Sequence, residues 1–222
     1  MNLLSENHPF VFFKNNNYLV VRNLISNNLC DFFYDYIKLS FKRLQYIEQK
    51  YGFGNYDETR YGTFRDNQAL GDLSQYGDLV FDTLLQLLTK KINFLTNINL
   101  IPTYSYYRFY TTNTELKKHI DRESCEISIT LCLGYDTTNL NYEYNWPMFI
   151  KNQNNKEVPI YLKPGDAIIY KGCVLEHWRE PFKGINHAQV FLHYNDKDGK
   201  FKNLYDNRPE LGLPNSFKKQ NI

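Results

Sequence analysis

The sequence predicts a single α+β domain that is mainly β, and three observations support this class. Residues 100–196 contain short runs rich in β-branched and aromatic side chains, separated by turn residues, which is the pattern of strands. Residues 1–99 contain two stretches with apolar side chains at helical spacing. A length of 222 residues with 42% hydrophobic residues suffices for one core and gives no reason to expect a second domain.

Two helices are predicted within residues 1–99. Ser26 supplies an N-cap side chain ahead of an apolar stripe that extends to about Gln49. Residues 76–78 precede a second, leucine-rich stretch that ends near Thr96. An amphipathic stripe of this kind usually packs on a sheet, so we expect both helices on the outside of the larger sheet.

The predicted strand region contains a clear turn signal and an alternating final strand. In the turn 164–166, proline fixes φ and glycine tolerates positive φ, and the turn leads into two isoleucines. Alternation in the final strand gives it an aliphatic face suited to contact with helices, formed by Ala188, Val190 and Leu192. The other face is expected to point toward a cavity and carries His187, Gln189, Phe191 and His193.

Two segments show no sustained periodicity. Residues 51–75 mix glycine with aromatic and charged residues, so we expect a long loop with at most one short strand. Loops of this length in a compact domain are often lids or binding loops, and Arg60 and Arg65 could touch a substrate there. Residues 197–222 are polar and are expected to form a coil or extended arm with little chemistry.

Composition gives little support for several classes of partner. The net charge of +2 is small and evenly spread, so electrostatics does not indicate nucleic acid or a membrane surface. No apolar run approaches the length that crosses a bilayer, and the four cysteines show no C-x-x-C spacing. The N-terminus lacks the pattern of a secretory signal. We therefore expect a cytoplasmic protein.

The most informative motif is H-x-D followed by a distant histidine. His119 and Asp121 are two residues apart, and alternation along a strand would place both on one face, with Ile120 directed into the packing behind. His177 follows in a later predicted strand. Two histidines and one carboxylate occupy one face of a ferrous ion and leave the opposite face open for substrate and O₂. This arrangement is typical of non-heme Fe(II) oxygenases.

An isolated H-x-D triplet is common by chance, but the order of features around it resembles the 2-oxoglutarate- and Fe(II)-dependent dioxygenases, in particular their prolyl-hydroxylase-like branch. That order is a tyrosine-rich strand, H-x-D, an aliphatic strand, a P-G-D turn, the second histidine and a final strand, over about residues 100–196. The resemblance implies a double-stranded β-helix (jelly-roll) core with His119, Asp121 and His177 as iron ligands. It also implies 2-oxoglutarate as cosubstrate and hydroxylation of a C–H bond, with release of succinate and CO₂. By analogy alone, the substrate would be peptidyl or a small amino-acid-like molecule.

One position departs from the pattern of the resemblance. The family has Arg or Lys nine or ten residues after the second histidine, to pair with the distal carboxylate of 2-oxoglutarate, whereas this chain has Asn186 and His187. A carboxylate in a partly dry cavity needs a cationic partner, so we predict that Arg108 supplies it, with the phenol of Tyr110. Side chains expected to complete this site or to replace Arg108 are His187, Gln189, Arg122 and Arg179.

Several charged side chains are expected around the ligands without touching the metal. Arg122 and Arg179 follow proposed ligands, and we expect them near the metal but projecting to the opposite strand face. Glu123 or Glu126 could hold either arginine in an ion pair and so orient the site. His193 is expected to be a core or rim histidine rather than a catalytic one.

Two other function classes stay open. Two histidines and one aspartate also satisfy Zn²⁺, so a zinc-dependent hydrolase is an alternative, although no general base lies beside the ligands as in H-E-x-x-H. A non-catalytic jelly-roll binding protein with a vestigial metal site would explain the missing basic residue. Metal content and succinate formation distinguish the three classes: the oxygenase gives both, the hydrolase prefers zinc without succinate, and the binding protein gives neither.

Overall fold

The computed structural model describes residues 8–219, and it consists of two antiparallel sheets with helices on one side. The helices are α1 (Pro9–Asn16), α2 (Asn27–Tyr51), α3 (Glu58–Tyr61) and α4 (Leu79–Thr96). The strands are β1 (Tyr18–Val21), β2 (Leu73–Tyr76), β3 (Leu100–Thr111), β4 (Leu116–His119), β5 (Ile127–Asp136), β6 (Met148–Lys151), β7 (Glu157–Ile160), β8 (Ala167–Tyr170), β9 (His177–Arg179) and β10 (Asn186–Asp196). Short 3₁₀ helices span Glu123–Cys125, Leu204–Asn207 and Asn215–Phe217.

The two sheets face each other and enclose the interior of the barrel. The larger sheet has six strands in the order β1-β8-β5-β10-β3-β2, and the smaller sheet has four in the order β4-β9-β6-β7. Every neighbouring pair of strands in both sheets is antiparallel. This is the mainly β, α+β architecture that the sequence predicts.

The long helices α2 and α4 cover the outer face of the larger sheet, as predicted. Helix α2 begins after Ser26, and Gly52 follows it with a positive φ of 87°. Helix α4 begins after Asp78, whose carboxylate accepts hydrogen bonds from the first backbone N–H groups of the helix. The aliphatic face of β10 packs in the same core as the buried faces of both helices and includes Ala188, Val190 and Leu192. The predicted alternation of the final strand is therefore correct on this face.

The turn before β8 joins the edge strand β1 to the rest of the sheet. Gly165 adopts a positive φ of 90°, and a Cβ atom built on it would lie 2.8 Å from the carbonyl oxygen of Ile25, so only glycine fits. The carboxylate of Asp166 accepts hydrogen bonds from the Arg22 guanidinium at 2.7 Å and from the Asn23 N–H at 3.1 Å. These bonds fix the end of β1 against the start of β8.

Local structure differs from the expectation in two places. Helix α1 was not predicted, because its eight residues are too few for a helical period to stand out. Residues 51–75 contain α3 and most of β2, so this segment is more ordered than a simple loop. Within the described range 8–219, no helix combines the length and apolar character needed to cross a membrane.

Candidate metal centre

Strands β4 and β9 bring the two histidines of the motif together. His119 is the last residue of β4 and pairs with His177, the first residue of β9, so the two rings lie side by side with centroids 4.2 Å apart. Asp121 lies two residues beyond β4, and its backbone N–H donates to the carbonyl of Gly172 at 2.9 Å. The sheet therefore places the histidines, and a backbone hydrogen bond places the aspartate.

The donor atoms of the three side chains converge. Oδ1 of Asp121 lies 3.7 Å from Nε2 of His119 and 3.5 Å from Nε2 of His177. Nδ1 of each histidine faces a backbone carbonyl, that of Lys117 at 2.7 Å and that of Leu175 at 2.9 Å. A carbonyl accepts only from a protonated Nδ1, so both Nε2 atoms keep their lone pairs for a metal. The structure brings the predicted ligand set into one cluster whose ligand atoms all lie within 4.8 Å of one another.

Ile120 does not lie where alternation predicts. Its side chain is 58% exposed and lines the cavity beside the ligands, rather than packing behind them. Strand β4 ends at His119, and its pairing with β9 shifts register between Leu116 and His119. Side chains alternate between the two faces only as far as β4 extends, so the alternation does not apply to the residues after His119.

A serine links the second oxygen of the Asp121 carboxylate to a third histidine. Ser128 Oγ donates to Oδ2 of Asp121 at 2.7 Å, and Ser128 Oγ lies 3.0 Å from Nδ1 of His193. Burial alone would raise the pKa of Asp121, but the neighbouring imidazoles of His177 and His193, with the Ser128 hydroxyl, outweigh burial and hold that pKa well below its usual range. Asp121 is therefore ionised, which is the form that binds a metal.

His193 is a buried, neutral neighbour of the ligand set. Burial lowers the pKa of His193 to about 4. Its position beside Ser128 fits the expected rim histidine that orients a ligand from outside the coordination sphere.

A second donor group shares Asp121 with Cys125 and His193. Burial and the nearby carboxylate of Asp121 raise the pKa of the Cys125 thiol far above its usual value, and the thiol lies 3.0 Å from the hydroxyl of Tyr104. A thiol that stays protonated is a poor metal ligand. The set that contains His119 and His177 is the better metal site.

A cavity of about 380 Å³ opens beside the triad. Its walls are polar and aromatic, and the lining residues are Asp66, Gln68, Tyr104, Tyr106, Arg108, Leu116, His119, Ile120, Asp121, Arg122, Cys125, Tyr170, His177, Phe191 and His193. The candidate metal ligands therefore lie on the wall of a space large enough for a small molecule.

Arg108 faces this cavity and already has a carboxylate partner. Its Nη2 lies 2.5 Å from Asp66 and 2.8 Å from the side-chain oxygen of Gln68, and Tyr106 donates its hydroxyl to Asp66 at 2.6 Å. Asp66 and Gln68 belong to residues 51–75, so this segment forms part of the cavity wall. Its closure as a lid stays a prediction. Arg60 and Arg65 are not among the cavity-lining residues.

Arg179 lies inside the barrel, and the expectation that it projects to the opposite face is wrong. It is two residues beyond His177 on β9, so the two side chains share a face. Its Nη1 donates to the carbonyl of Trp146 at 2.6 Å, and its guanidinium carbon lies 4.5 Å from the centre of the Trp146 ring. Burial lowers the pKa of Arg179 to about 10. No acidic side chain within residues 8–219 forms an ion pair with it, so the expected partners Glu123 and Glu126 do not hold it.

The other predicted cosubstrate side chains lie in the same part of the interior. Tyr110 pairs across the strands with His187, and Arg108 pairs with Gln189, so all four share the inner face of the larger sheet. Burial, with the charge of Arg179 adding to it, lowers the pKa of His187 well below its usual value. His187 is neutral and cannot serve as a cation at the position where the resemblance places one.

Arg122 is held by the C-terminal arm rather than by a glutamate. Both of its terminal nitrogens donate to Asp206, each at 2.7 Å. Asp206 is 2% exposed and also binds Tyr76 at 2.7 Å and Lys218 at 2.6 Å. Burial alone would raise the pKa of Asp206, but Arg122 and Lys218 outweigh it and hold that pKa well below its usual range.

The expectation that residues 197–222 carry little chemistry is therefore wrong for the part that contains Asp206. Tyr205, Asp206 and Asn207 all have positive φ, a backbone conformation that residues other than glycine rarely adopt. No local pattern distinguishes a buried aspartate from an exposed one in a polar tail, so this contact could not be predicted from the sequence.

The chain matches no protein-family model and no curated protein sequence. Solved structures do match it across most of its length. EctD from S. alaskensis is 13% identical, with a TM-score of 0.62, over 96% of this chain and 86% of that one. HygX from Streptomyces hygroscopicus, with nickel and 2-oxoglutarate bound, is 11% identical, with a TM-score of 0.61, over 90% of each chain.

A third structure belongs to the branch that the sequence resembles. It is a prolyl hydroxylase from Trichoplax adhaerens in complex with a peptide fragment of the hypoxia inducible factor oxygen degradation domain. It is 15% identical to this chain, with a TM-score of 0.56, over 86% of this chain and 89% of that one. At this level of identity the likeness is one of fold. The predicted core is confirmed: the chain has the double-stranded β-helix fold of the 2-oxoglutarate- and Fe(II)-dependent oxygenases.

Proposed function

We propose that the protein is an Fe(II)- and 2-oxoglutarate-dependent dioxygenase that hydroxylates a C–H bond of a small-molecule or peptidyl substrate. The convergence of His119, Asp121 and His177 on the cavity wall carries this proposal. Two imidazole nitrogens and one carboxylate are the donor set that suits ferrous iron with open positions. When bound, Fe(II) with 2-oxoglutarate and O₂ supplies the oxidation that places a hydroxyl on carbon and converts the oxo acid to succinate and CO₂.

The chain's own contribution is to keep the ligands in the correct protonation states and orientations. Asp121 is held ionised by His177, His193 and Ser128, and burial together with His177 lowers the pKa of His119. Two imidazole nitrogens and one carboxylate would leave a bound divalent ion with net positive charge. That charge favours binding of an anionic oxo acid.

The lining of the cavity supports a polar substrate. Asp66 and Arg108 place both signs of charge on its wall, and Tyr106 and Phe191 add aromatic surface. Such a wall suits an amino-acid-like molecule or a peptide segment, which combine amide or ionic groups with apolar atoms. The peptide in the prolyl hydroxylase complex supports the peptidyl alternative.

The experiment that tests the proposal measures metal content and succinate together. Purified protein is reconstituted with Fe(II) without oxygen, given 2-oxoglutarate and O₂, and screened against free amino acids, peptides and small metabolites for substrate-dependent succinate. Asp121→Ala is the control and should give none. Zinc preference without succinate would favour the hydrolase, and neither metal binding nor succinate would favour the binding protein.

A further inference from the structure

The inner end of the barrel contains a buried arginine without an acidic partner. Arg179 is 3% exposed, and the only hydrogen bond that its side chain forms within residues 8–219 is the one to the carbonyl of Trp146. Its remaining guanidinium N–H groups therefore have no acceptor among these residues. A buried cation in this state is costly, and proteins usually provide it with an anion.

The two other deeply buried arginines within residues 8–219 are each paired with an acidic side chain. Arg108 is 5% exposed and pairs with Asp66, although its Nε has no hydrogen-bond partner among residues 8–219, and Arg208 is 3% exposed and pairs with Asp82 at 3.0 Å. Arg179 departs from this rule. A ligand that carries an anionic group would give it the same kind of partner.

Hydrogen-bonding groups without partners lie on the inner face of the larger sheet, and two of them, Tyr110 and His187, are close to Arg179. The hydroxyl of Tyr110, both side-chain polar atoms of Gln189 and Nδ1 of His187 are buried and form no hydrogen bond within the described part of the chain. The Trp146 ring joins this group, because it packs on Arg179, on Tyr110 at 5.1 Å and on His187 at 5.4 Å. Buried polar groups rarely stay unpaired, and several together indicate a polar ligand.

The position of Arg179 relative to the metal ligands suits a dicarboxylate. It lies two residues from His177 on the same strand face, a separation of about 6 to 7 Å along a strand. This is close to the span of a five-carbon dicarboxylate. Arg179 does not line the 380 Å³ cavity, so a ligand that reaches it must extend inward from there.

We infer that Arg179, from the smaller sheet, binds the distal carboxylate of 2-oxoglutarate, with Tyr110 and Gln189 as additional hydrogen-bond partners. This inference rests on the proposed function and deepens it. It places the cationic partner on the strand of the second histidine rather than on the strand after it, where this chain has the neutral His187. Arg108, the residue predicted from the sequence, has Asp66 as its anion, whereas Arg179 has none among residues 8–219.

The test measures binding rather than turnover. Protein loaded with Ni(II) is titrated calorimetrically with 2-oxoglutarate and with 2-oxobutyrate, which has the same oxo-acid end but no distal carboxylate. Wild type should prefer 2-oxoglutarate by about 100-fold, because a charge-assisted pair contributes affinity of that order. Arg179→Met should lose most of this preference while its affinities for Ni(II) and 2-oxobutyrate stay unchanged.

Two further variants sharpen the result. Arg179→Lys keeps the charge but cannot donate two parallel hydrogen bonds to one carboxylate. Its preference for 2-oxoglutarate over 2-oxobutyrate should therefore be about tenfold smaller than that of wild type. This variant also tests the inference if the methionine variant does not fold. Arg108→Met tests the competing assignment: the ratio of the two oxo-acid affinities should stay near that of wild type if Arg179 binds the distal carboxylate.

The outcomes separate this inference from the proposed function. If wild type prefers 2-oxoglutarate and Arg179→Met keeps that preference, the inference is wrong and the proposed function stands. Loss of the preference in Arg108→Met alone would assign the carboxylate to Arg108. Nickel-loaded wild type that binds neither oxo acid would overturn both the inference and the proposed function.

Discussion

The metal end and the inner end of the barrel interior differ in how their polar groups are satisfied. At the metal end, both histidine ligands, Asp121 and Ser128 have hydrogen-bond partners within the chain. At the inner end, Tyr110 and Gln189 have none within residues 8–219. The contacts of the chain itself therefore orient the polar groups of the metal end, whereas they leave polar groups of the inner end unpaired.

This difference has an energetic counterpart. A buried polar group without a partner costs about 1 to 3 kcal/mol, so the inner end lowers the stability of the ligand-free protein. Such a cost is typical of binding sites, where stability is exchanged for affinity. Substitutions at the two ends should therefore have opposite effects on stability.

The largest expected effect is at the metal end. Asp121→Ala should reduce Fe(II) or Ni(II) affinity by at least about 1,000-fold, because a facial set without its carboxylate loses its only charged ligand. The fold should persist, since Asp121 lies outside the strands. Metal content by elemental analysis and far-UV circular dichroism measure both quantities. Full metal occupancy in this variant would remove Asp121 from the ligand set.

The second effect is a pH dependence that involves both ends. His187 and His193 have folded pKa values below the ordinary value of 6.5, so the unfolded chain binds more protons than the folded one as the pH falls below 6.5. Stability of the metal-free protein is thus fully present above pH 6.5 and falls below it, by about 1.4 kcal/mol per pH unit for each histidine.

Urea unfolding of metal-free protein between pH 7 and 5 measures this slope. His187→Gln should reduce the slope of the free energy of unfolding against pH by the contribution of one histidine. This holds whether or not the substitution also changes the stability at pH 7. An unchanged slope would mean that His187 does not titrate with the predicted sign.

The third effect concerns the support of the metal ligand. Ser128→Ala removes the hydroxyl that donates to Asp121, so metal affinity should fall about 10- to 100-fold. Ser74→Ala is the matched control, because Ser74 is a buried serine whose hydroxyl has no partner among residues 8–219. Competition with a chelator measures both affinities. Equal affinities in the two variants would show that Ser128 does not orient the ligand.

The smallest expected effect tests the inner end directly. Tyr110→Phe removes a buried hydroxyl without a partner in the described residues, so metal-free protein should gain about 1 kcal/mol in the free energy of unfolding. Tyr194→Phe should instead lower the free energy of unfolding by about 1 kcal/mol, because the Tyr194 hydroxyl donates to the carbonyl of Leu85 at 2.7 Å. Chemical denaturation compares the two. Destabilisation by both substitutions would mean that the Tyr110 hydroxyl is satisfied.

The sequence predicted the features that depend on local pattern. Strand alternation gave the aliphatic face of β10, and the motif identified His119, Asp121 and His177, which the sheet brings together. The resemblance led to the correct core architecture. These features repeat with a fixed period or spacing, so they can be read without knowledge of distant contacts.

What the sequence did not predict depends on contacts between distant parts of the chain. Asp66 meets Arg108 from 42 positions away, and Asp206 meets Arg122 from 84. Local pattern also failed where regular structure ends, as at Ile120 just beyond β4. The orientation of Arg179 follows from its two-residue spacing from His177, a signal that was present in the sequence.

The contacts of Asp206 have a kinetic consequence. It joins Tyr76, Arg122 and the arm's own Lys218, and the first two lie 130 and 84 positions away in the chain. Closing such long loops costs entropy that only an assembled sheet can offset, so we expect the arm to dock late in folding. Substitutions that weaken this docking should then accelerate unfolding and leave the folding rate of the sheets nearly unchanged. The cavity wall at Arg122 would in that case keep its shape for as long as the arm stays docked.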